Sequence, residues 1–154
     1  MTSTPLTADD VARLEKLLEP SRIAVVATIY RSGVPHLTPN WFVYEGGRIA
    51  ISTTKERVKY RNLSRDPRMS FCVYSELTAA DYVTVSGPVS ISDDESIWPV
   101  TRRIIERYVP AGHVEERLAQ LRTQNRVILS LAPESVVFSA HPSSSTSPCA
   151  AGQL

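Results

Sequence analysis

Hydroxyl and basic side chains are concentrated in one segment, from Ser52 to Arg68, which makes it the strongest candidate for binding an anion. Three hydroxyl residues, Ser52, Thr53 and Thr54, end an apolar stretch and lead into a segment of helical composition. A helix start has unpaired N–H groups and a partial positive charge, so a phosphate docked there would meet hydroxyls, amides and cations together. The alternative is a solvated basic helix packed on its neighbour, because charge runs commonly form solvated faces.

The charge of this segment contrasts with a nearly neutral chain. The whole protein has 154 residues and a formal net charge of +1. Residues 55–68 hold six cations and two acids, Glu56 and Asp66, so their local charge is +4. The near-neutral total excludes binding to nucleic acid through bulk electrostatics, whereas the local excess favours a compact, multiply charged anion. The six cations are Lys55, Arg57, Lys59, Arg61, Arg65 and Arg68.

A second candidate segment, Thr38 to Phe42, lies on the preceding predicted strand. Pro39 breaks the hydrogen-bond ladder, Asn40 offers a donor and an acceptor, and Trp41 offers a flat wall. Such a strand can lie along a planar heterocycle; the alternative is ordinary strand packing with Trp41 in a core or interface. A ligand that spans both segments has a flat ring at one end and a phosphate at the other, which describes a flavin or deazaflavin mononucleotide.

Motifs of other cofactor and catalytic sites are absent from the sequence. There is no G-x-G-x-x-G, no G-x-x-x-x-G-K and no G-x-S-x-G, so dinucleotide, triphosphate and serine-nucleophile sites are not expected. His36, His113 and His141 have no ligand-like spacing with one another or with a cysteine, so no metal site is predicted. We therefore expect no catalytic side chain, because a bound cofactor would carry the chemistry.

Hydrophobic periodicity predicts the elements that position these segments. Hairpin turns at 31–33 and 45–47 link three successive strands, and no strand–helix–strand repeat sets up a parallel sheet. Pro39 predicts an interrupted or edge strand, and Gly87 with Pro88 predicts a bend within a later strand. The pattern favours a mainly β, antiparallel barrel or strongly bent sheet with flanking helices. The predicted order is a helix at 11–18 preceded by a Thr7–Asp10 capping box, strands at 23–30, 36–44 and 48–53, a short helix at 54–64, strands at 69–74 and 82–91, helices at 97–108 and 114–121, and strands at 126–131 and 135–138.

The sequence predicts one domain, residues 1–140, followed by a disordered tail, 141–154, rich in serine and proline. The two cysteines, Cys72 and Cys149, do not indicate a disulfide framework, and the first ten residues are polar and acidic, unlike a signal peptide. No apolar run approaches the ~18 residues that span a bilayer. We therefore expect a cytoplasmic protein that binds neither membrane nor nucleic acid.

Five short segments occur in the order and spacing of a known family: Ala24–Thr28, Gly33–Phe42, Gly47–Thr54, Arg57–Phe71 and Val83–Val89. In these segments the sequence resembles the flavin-binding split-barrel proteins related to pyridoxamine-phosphate oxidase, and among them the deazaflavin (coenzyme F-420)-dependent reductases, over residues 9–137. The second-strand lysine and C-terminal Arg/Trp clamp of the oxidase members are not evident here. Oxidation of pyridoxamine phosphate is therefore not expected.

The resemblance implies an antiparallel split β-barrel that forms a homodimer with two cofactor sites at the subunit interface. It also implies a phosphate-contacting pair, a set of strand-end hydroxyls, a helix amide and a strand that passes the cofactor ring. The implied phosphate-contacting pair is Arg57 and Lys59, and the implied strand-end hydroxyls are those of Ser52, Thr53 and Thr54. The implied helix amide is Asn62, and the implied strand beside the ring comprises Thr38, Pro39, Asn40 and Trp41.

Three functions follow as hypotheses. The first is an oxidoreductase in which reduced F-420, or alternatively flavin mononucleotide (FMN), passes a hydride to a small electron-poor substrate such as an enone, quinone or tetrapyrrole. Lys55, Arg61 and Arg65 would then meet the acidic tail of F-420, which favours F-420 over FMN. The second is a non-catalytic protein that binds or stores flavin, deazaflavin or haem. The third is an interaction domain with an empty barrel, whose basic helix is the partner surface.

Overall fold

Hydrophobic patterning accounts for most element boundaries in the computed structural model, which describes residues 6–75 and 78–139. The tail predicted to be disordered, 141–154, lies outside the described residues. Within them, no helix has the length and apolar character needed to cross a membrane. The elements are α1 (Ala8–Leu18), β1 (Ala24–Ile29), β2 (Pro35–Asn40), β3 (Val43–Glu45), β4 (Arg48–Thr54), α2 (Val58–Arg65), β5 (Arg68–Tyr74), β6 (Tyr82–Ser92), α3 (Ile97–Tyr108), a 3₁₀ helix (Ala111–His113), α4 (Val114–Arg122), β7 (Arg126–Leu131) and β8 (Ser135–Phe138).

The first helix begins at the predicted capping box. The Thr7 hydroxyl accepts a hydrogen bond from the Asp10 backbone N–H at 3.1 Å, and the Asp10 carboxylate accepts one from the Thr7 N–H at 3.0 Å. These two bonds satisfy N–H groups that a helix start leaves unpaired. The helix buries Leu14 and Leu18 against the sheet.

All strand pairs among the described residues are antiparallel, as predicted. The strand order is β2-β1-β5-β6-β7-β4-β3, with β8 paired to β6. Strand β6 joins the two halves of the sheet, because its first part pairs with β5 and its last residues, Val89 to Ser92, pair with β7. The change of partner occurs at the predicted bend, where a Cβ on Gly87 would lie 1.9 Å from the Ala132 carbonyl oxygen. Only glycine allows this close approach.

The segment predicted as one strand at 36–44 divides into β2 and β3. The break falls at Trp41 and Phe42 rather than at Pro39, because Phe42 turns fully into the core and packs edge-on against Phe71 at 5.0 Å. Strand β2 is an edge strand, so the missing N–H of Pro39 costs no interior ladder bond. Since β2 and β3 are neighbours in sequence but lie at opposite ends of the strand order, the sheet curls back on itself as a half-open barrel.

The two faces of the sheet half made of β2, β1, β5, β6 and β8 differ in exposure. The register places Val26, Phe71 and Val85 on the inner face, where all three are fully buried. The same register places Leu37 and Val137 on the outer face, where they are 62% and 55% exposed. The inner face is therefore the barrel core, and the outer face is uncovered in the single chain.

Candidate anion-binding cleft

A cleft of about 500 Å³ opens between β2 and the junction of β4 with α2. Strand β2 supplies one wall, the end of β4 and the start of α2 supply the floor, and α4, the loop after it and the start of β7 supply the remaining lining residues. We call this space the basic cleft. Its lining residues are His36, Thr38, Pro39, Ser52, Thr53, Thr54, Arg57, Val58, Lys59, Arg117, Gln124 and Arg126.

The floor of the basic cleft is a strand end followed by a helix start. Thr53 and Thr54 close β4, and α2 begins at Val58 after an extended N-cap residue, Arg57. No side chain caps this helix through a hydrogen bond, and Val58 lines the cleft. The first N–H groups of α2 therefore lack a side-chain acceptor, and their partial positive charge favours an anion there.

Lys59 is a nearly buried cation on the cleft floor. The residue is only 8% exposed, and its Nζ donates a hydrogen bond to the Asn40 side-chain oxygen. The Asn40 amide nitrogen donates to the Thr38 carbonyl at 2.7 Å and to the Thr38 hydroxyl at 3.1 Å, which fixes the amide oxygen toward Lys59. Burial, with added repulsion from Arg57 and then Arg126, lowers the pKa of Lys59 to about 8.

Arg126 is a second partly buried cation, at the start of β7 beside the end of β4. It pairs in register with Thr54, and its Nε and Nη2 donate to the Ser52 hydroxyl at 3.0 and 2.9 Å. Its Nη1 donates to the Gln124 side-chain oxygen at 2.9 Å. Burial lowers the pKa of Arg126, and repulsion from Arg117 and Arg57 adds to the effect. The guanidinium is thus held by neutral acceptors.

The lining residues carry four cations and no carboxylate. Arg57, Lys59, Arg117 and Arg126 repel one another, and two of them are partly desolvated. Such a cluster gains most from an anion, because each charge-assisted hydrogen bond to an oxyanion also relieves repulsion. The residues present therefore fit a phosphate group next to a strand edge.

Comparison with known proteins identifies the family to which this fold belongs. The family model described as pyridoxamine 5'-phosphate oxidase matches residues 11–140. The chain belongs to the pyridoxamine 5'-phosphate oxidase family. The resemblance found in the sequence is confirmed, and so is the antiparallel split barrel with flanking helices.

Solved structures of this fold have differing functions. A conserved hypothetical protein of Mycobacterium tuberculosis is 24% identical, with a TM-score of 0.75; the match covers 92% of this chain and 89% of that one. An F-420 reductase is 25% identical, with a TM-score of 0.64, covering 80% and 94% of the two chains. A haem storage protein of Vibrio cholerae is 21% identical, with a TM-score of 0.65, covering 82% and 92%. The fold thus supports both oxidoreductases and haem storage proteins.

Most of the site residues that the sequence predicted lie in the basic cleft. Those that line it are Thr38, Pro39, Ser52, Thr53, Thr54, Arg57 and Lys59. Asn40 lies behind the lining as the partner of Lys59. Trp41 stacks on Tyr108 with ring centroids 5.1 Å apart, and Asn62 donates to the buried Thr28 hydroxyl at 3.0 Å. Trp41 and Asn62 therefore lie outside the lining, and every cofactor-binding role stays a prediction.

The extra cations expected to meet an acidic tail have other contacts. Lys55 forms an ion pair with Asp93 at 2.7 Å, and Arg65 donates to the Ile29 carbonyl. Neither they nor Arg61 lines the basic cleft. Together with the Asn62–Thr28 bond, the Arg65 contact ties α2 to β1. Lys55 and Arg65 are thus engaged with other parts of the chain in this structure.

Sequence reasoning missed five residues of the cleft lining, which are His36, Val58, Arg117, Gln124 and Arg126. The pairing of β4 with β7 brings Arg126 beside Ser52, 74 residues earlier, and no local pattern reports such a contact. The only sequence signal was the position of Arg126 at the start of a predicted strand. His36 contacts Tyr30 edge-on at 5.2 Å, and its buried Nδ1 has no hydrogen-bond partner among the described residues.

Proposed function

We propose that this protein is an oxidoreductase that uses the deazaflavin F-420 to transfer a hydride to a small electron-poor organic substrate. FMN, which shares the ring shape and the phosphate, is the alternative cofactor. The observation that carries the proposal is the basic cleft, with four cations and no carboxylate at a strand end and an uncapped helix start. A phosphate-bearing cofactor is the ligand class that this arrangement fits best.

Different residues of the cleft would bind the phosphate and the ring of the cofactor. Arg57 and Lys59 would hold the phosphate oxygens, and the hydroxyls of Thr53 and Thr54 would donate to them. The edge strand β2 would lie along the ring. When bound, the cofactor supplies the hydride chemistry. The protein orients it and excludes water, so no side chain of this chain needs to act as a nucleophile.

Two observations favour F-420 over FMN. The cleft holds more positive charge than one phosphate neutralises, and F-420 carries additional acidic groups. An F-420 reductase is also among the similar solved structures, at 25% identity. The acidic tail would meet cleft cations such as Arg117 in place of the engaged Lys55 and Arg65.

The proposed assembly is a homodimer that closes over the outer sheet face. Leu37 and Val137 on that face are 62% and 55% exposed, and Pro35 and Pro39 are exposed beside Leu37 on β2. An exposed apolar sheet face of this kind is typical of an interface. Since β2 also walls the basic cleft, a second chain on this face would lie next to the cofactor site.

Non-catalytic binding and storage is the second candidate. It is favoured by His36, which lines the cleft and has a buried ring nitrogen without a hydrogen-bond partner among the described residues. A haem storage protein also shares the fold. Neutral imidazole is a common ligand of metals, including haem iron.

A cofactor titration followed by turnover separates these functions. The purified protein is titrated with F-420, FMN and haem, each followed by its own fluorescence or absorbance. Reduced F-420 or FMN is then offered a panel of quinones, enones and biliverdin, and its reoxidation is measured.

The oxidoreductase proposal predicts F-420 binding in or below the micromolar range and reoxidation by at least one substrate class. Binding of a cofactor without reoxidation by any of them would favour storage. Failure of F-420 and FMN to bind at micromolar concentrations would overturn the oxidoreductase proposal.

A further inference from the structure

Lys59 differs from the other lysines of the chain in its surroundings. The sequence contains three lysines, Lys16, Lys55 and Lys59. Lys16 is exposed on α1, and Lys55 forms an ion pair with Asp93 at 2.7 Å. Lys59 is only 8% exposed, and its Nζ donates to the neutral side-chain oxygen of Asn40. Its ammonium group is therefore poorly hydrated and has no carboxylate partner among the described residues.

The titratable groups that share the basic cleft with Lys59 are basic on every side. They are Arg57 at the start of α2, Arg126 at the start of β7, Arg117 on α4 and His36 on β2. No carboxylate is among the lining residues, and none of the three arginines forms an ion pair with a carboxylate within the described part of the chain. The empty cleft thus holds positive charge without an internal anion.

These surroundings favour the neutral, nucleophilic form of the Lys59 amine. Burial, with added repulsion from Arg57 and then Arg126, lowers the pKa of Lys59 from 10.5 to about 8. At about pH 7.5, roughly a quarter of such amines are neutral, against about one in a thousand for an ordinary lysine. Because Lys59 lines a cleft of about 500 Å³, a small electrophile can reach its nitrogen.

Carbon dioxide is the electrophile whose product supplies the anion that the cleft lacks. The lone pair of a neutral amine forms a C–N bond to the carbon, one C=O π bond opens, and the nitrogen releases a proton to water. The product is a carbamate, and no oxidant or reductant takes part. The addition replaces one of the four cations of the cleft with an anion whose two oxygens a guanidinium can bind. An aldehyde or an acyl donor would remove the lysine charge without supplying an anion.

We propose that Lys59 is a carbamate-forming site, at which carbon dioxide adds reversibly and the product pairs with Arg57 and Arg126 in the ligand-free cleft. The carbamate nitrogen keeps one N–H for the Asn40 oxygen. Its anionic group takes the place of the phosphate, so carbon dioxide and a phosphate-bearing ligand compete for the cleft. The competition rests on the proposed function for the nature of the ligand, whereas the modification requires no cofactor.

The first experiment detects the carbamate in the ligand-free protein. Wild type, Lys59→Arg and Lys16→Arg are equilibrated with isotopically labelled bicarbonate at about pH 8, and the carbamate carbon is observed by NMR. Lys16→Arg is the matched control, because it changes an exposed lysine outside the cleft.

The proposal predicts a carbamate resonance that wild type and Lys16→Arg share and that Lys59→Arg lacks. Inorganic phosphate, which needs no cofactor site beyond the cleft cations, should remove this resonance from the wild type. Spectra without a resonance that depends on Lys59 would overturn the site.

A second measurement does not depend on the folding of a variant. Carbamates of the wild type are trapped as esters with a trialkyloxonium salt, and the modified residues are located by digestion and mass spectrometry. The ester is expected on Lys59 and not on Lys16 or Lys55. Trapping that leaves Lys59 unmodified would overturn the site.

A third experiment tests the competition with the proposed cofactor. F-420 is titrated into wild type and Lys59→Arg, with bicarbonate or chloride at matched ionic strength and pH. If bicarbonate converts half of the wild-type chains to the carbamate, the apparent dissociation constant should rise about twofold. Lys59→Arg should show no such rise, because its guanidinium forms no carbamate.

A rise of equal size in both proteins would mean that bicarbonate acts as a simple anion and would overturn the competition. The same conclusion would follow if F-420 bound a carbamate-bearing wild type with unchanged affinity.

The modification and the proposed function can fail separately. If neither F-420 nor FMN binds but phosphate displaces a Lys59 carbamate, the proposed function is wrong and the carbamate site stands. If F-420 binds and neither NMR nor trapping finds a carbamate on Lys59, the carbamate site is wrong and the proposed function stands.

Discussion

In the free protein, burial disfavours the charged form of Lys59. The residue is 8% exposed, and its direct partner is the neutral Asn40 side chain. Removing water from an ammonium group disfavours its charged form, and the nearby Arg57 adds repulsion. A bound anion would offset both effects on the pKa, because its negative charge favours the ammonium form. We therefore expect Lys59 to couple ligand binding to pH.

Affinity for a phosphate-bearing ligand should fall as pH rises above about 8. The pKa of Lys59 in the free protein is lowered to about 8, so the cation needed for binding is lost through that range. The dissociation constant of F-420 or FMN measured across pH checks this. Lys59→Arg keeps a cation at these pH values and should flatten the profile; an equally steep profile in that variant would assign the effect to another group.

The stability of the ligand-free protein should respond to pH in the opposite direction. The pKa of Lys59 is lowered from 10.5 to about 8 by folding, so between these values the unfolded chain binds more protons than the folded one. The contribution of Lys59 to the free energy of unfolding therefore rises as pH increases through that window. Denaturant unfolding of wild type and Lys59→Met isolates this contribution. The free energy of unfolding of the wild type should rise relative to that of the variant between about pH 8 and 10. A constant difference would contradict the buried cation.

Among the elements, strand β6 bends at the point where it changes its partner strands. Its first part pairs with β5 and β8, and its last part pairs with β7. The exchange occurs where Gly87 meets the Ala132 carbonyl, which lies 1.9 Å from where a Cβ would stand. The junction between the two halves of the sheet therefore requires glycine, which has no side chain, at position 87.

Gly87→Ala should destabilise the protein by about 2 kcal/mol or more, because the new methyl group must displace backbone rather than a flexible side chain. Chemical denaturation measures the loss. Gly112→Ala is the matched control, since a Cβ on Gly112 meets nothing within 4 Å. It should change the free energy of unfolding by less than about 0.5 kcal/mol. Equal effects of the two substitutions would refute the close approach at Gly87.

The sequence predicts single elements well and long-range pairing poorly. The capping box at Thr7, the bend at Gly87 and the edge position of Pro39 all follow from local chemistry, and the structure has each of them. The division of the 36–44 segment depends on where Phe42 enters the core, which is a tertiary property. The place of Arg126 in the cleft depends on the pairing of β4 with β7. The cleft residues on β2, β4 and α2 were therefore predictable, and those on α4 and β7 were not.

The single chain leaves the outer face of one half of the sheet uncovered. Five strands contribute to it, and Leu37, Val137, Tyr74 and Tyr82 are all exposed there. The basic cleft opens beside the same edge strand, β2. Covering the face with a second chain would both bury apolar area and enclose the ligand.

Leu37→Glu should convert the proposed dimer into monomers, because a carboxylate within an apolar interface is costly to bury. Light scattering coupled to size exclusion gives the mass directly: two chains for the wild type and one for the variant. Ala119→Glu, an exposed apolar position on α4 away from this face, should leave the mass unchanged. A monomeric wild type would contradict the assembly and require a cleft that binds cofactor in one chain.

If the basic cleft holds the phosphate of the cofactor, loss of a cleft cation should weaken F-420 binding, which a fluorescence titration of F-420 into three variants measures. Arg57→Ala and Lys59→Ala each remove a charge-assisted contact worth about 1.5–3 kcal/mol, so each should weaken binding roughly 10- to 100-fold. Lys16→Ala, at an exposed site on α1, should bind like the wild type. Wild-type affinity in both cleft variants would mean that Arg57 and Lys59 do not hold the phosphate.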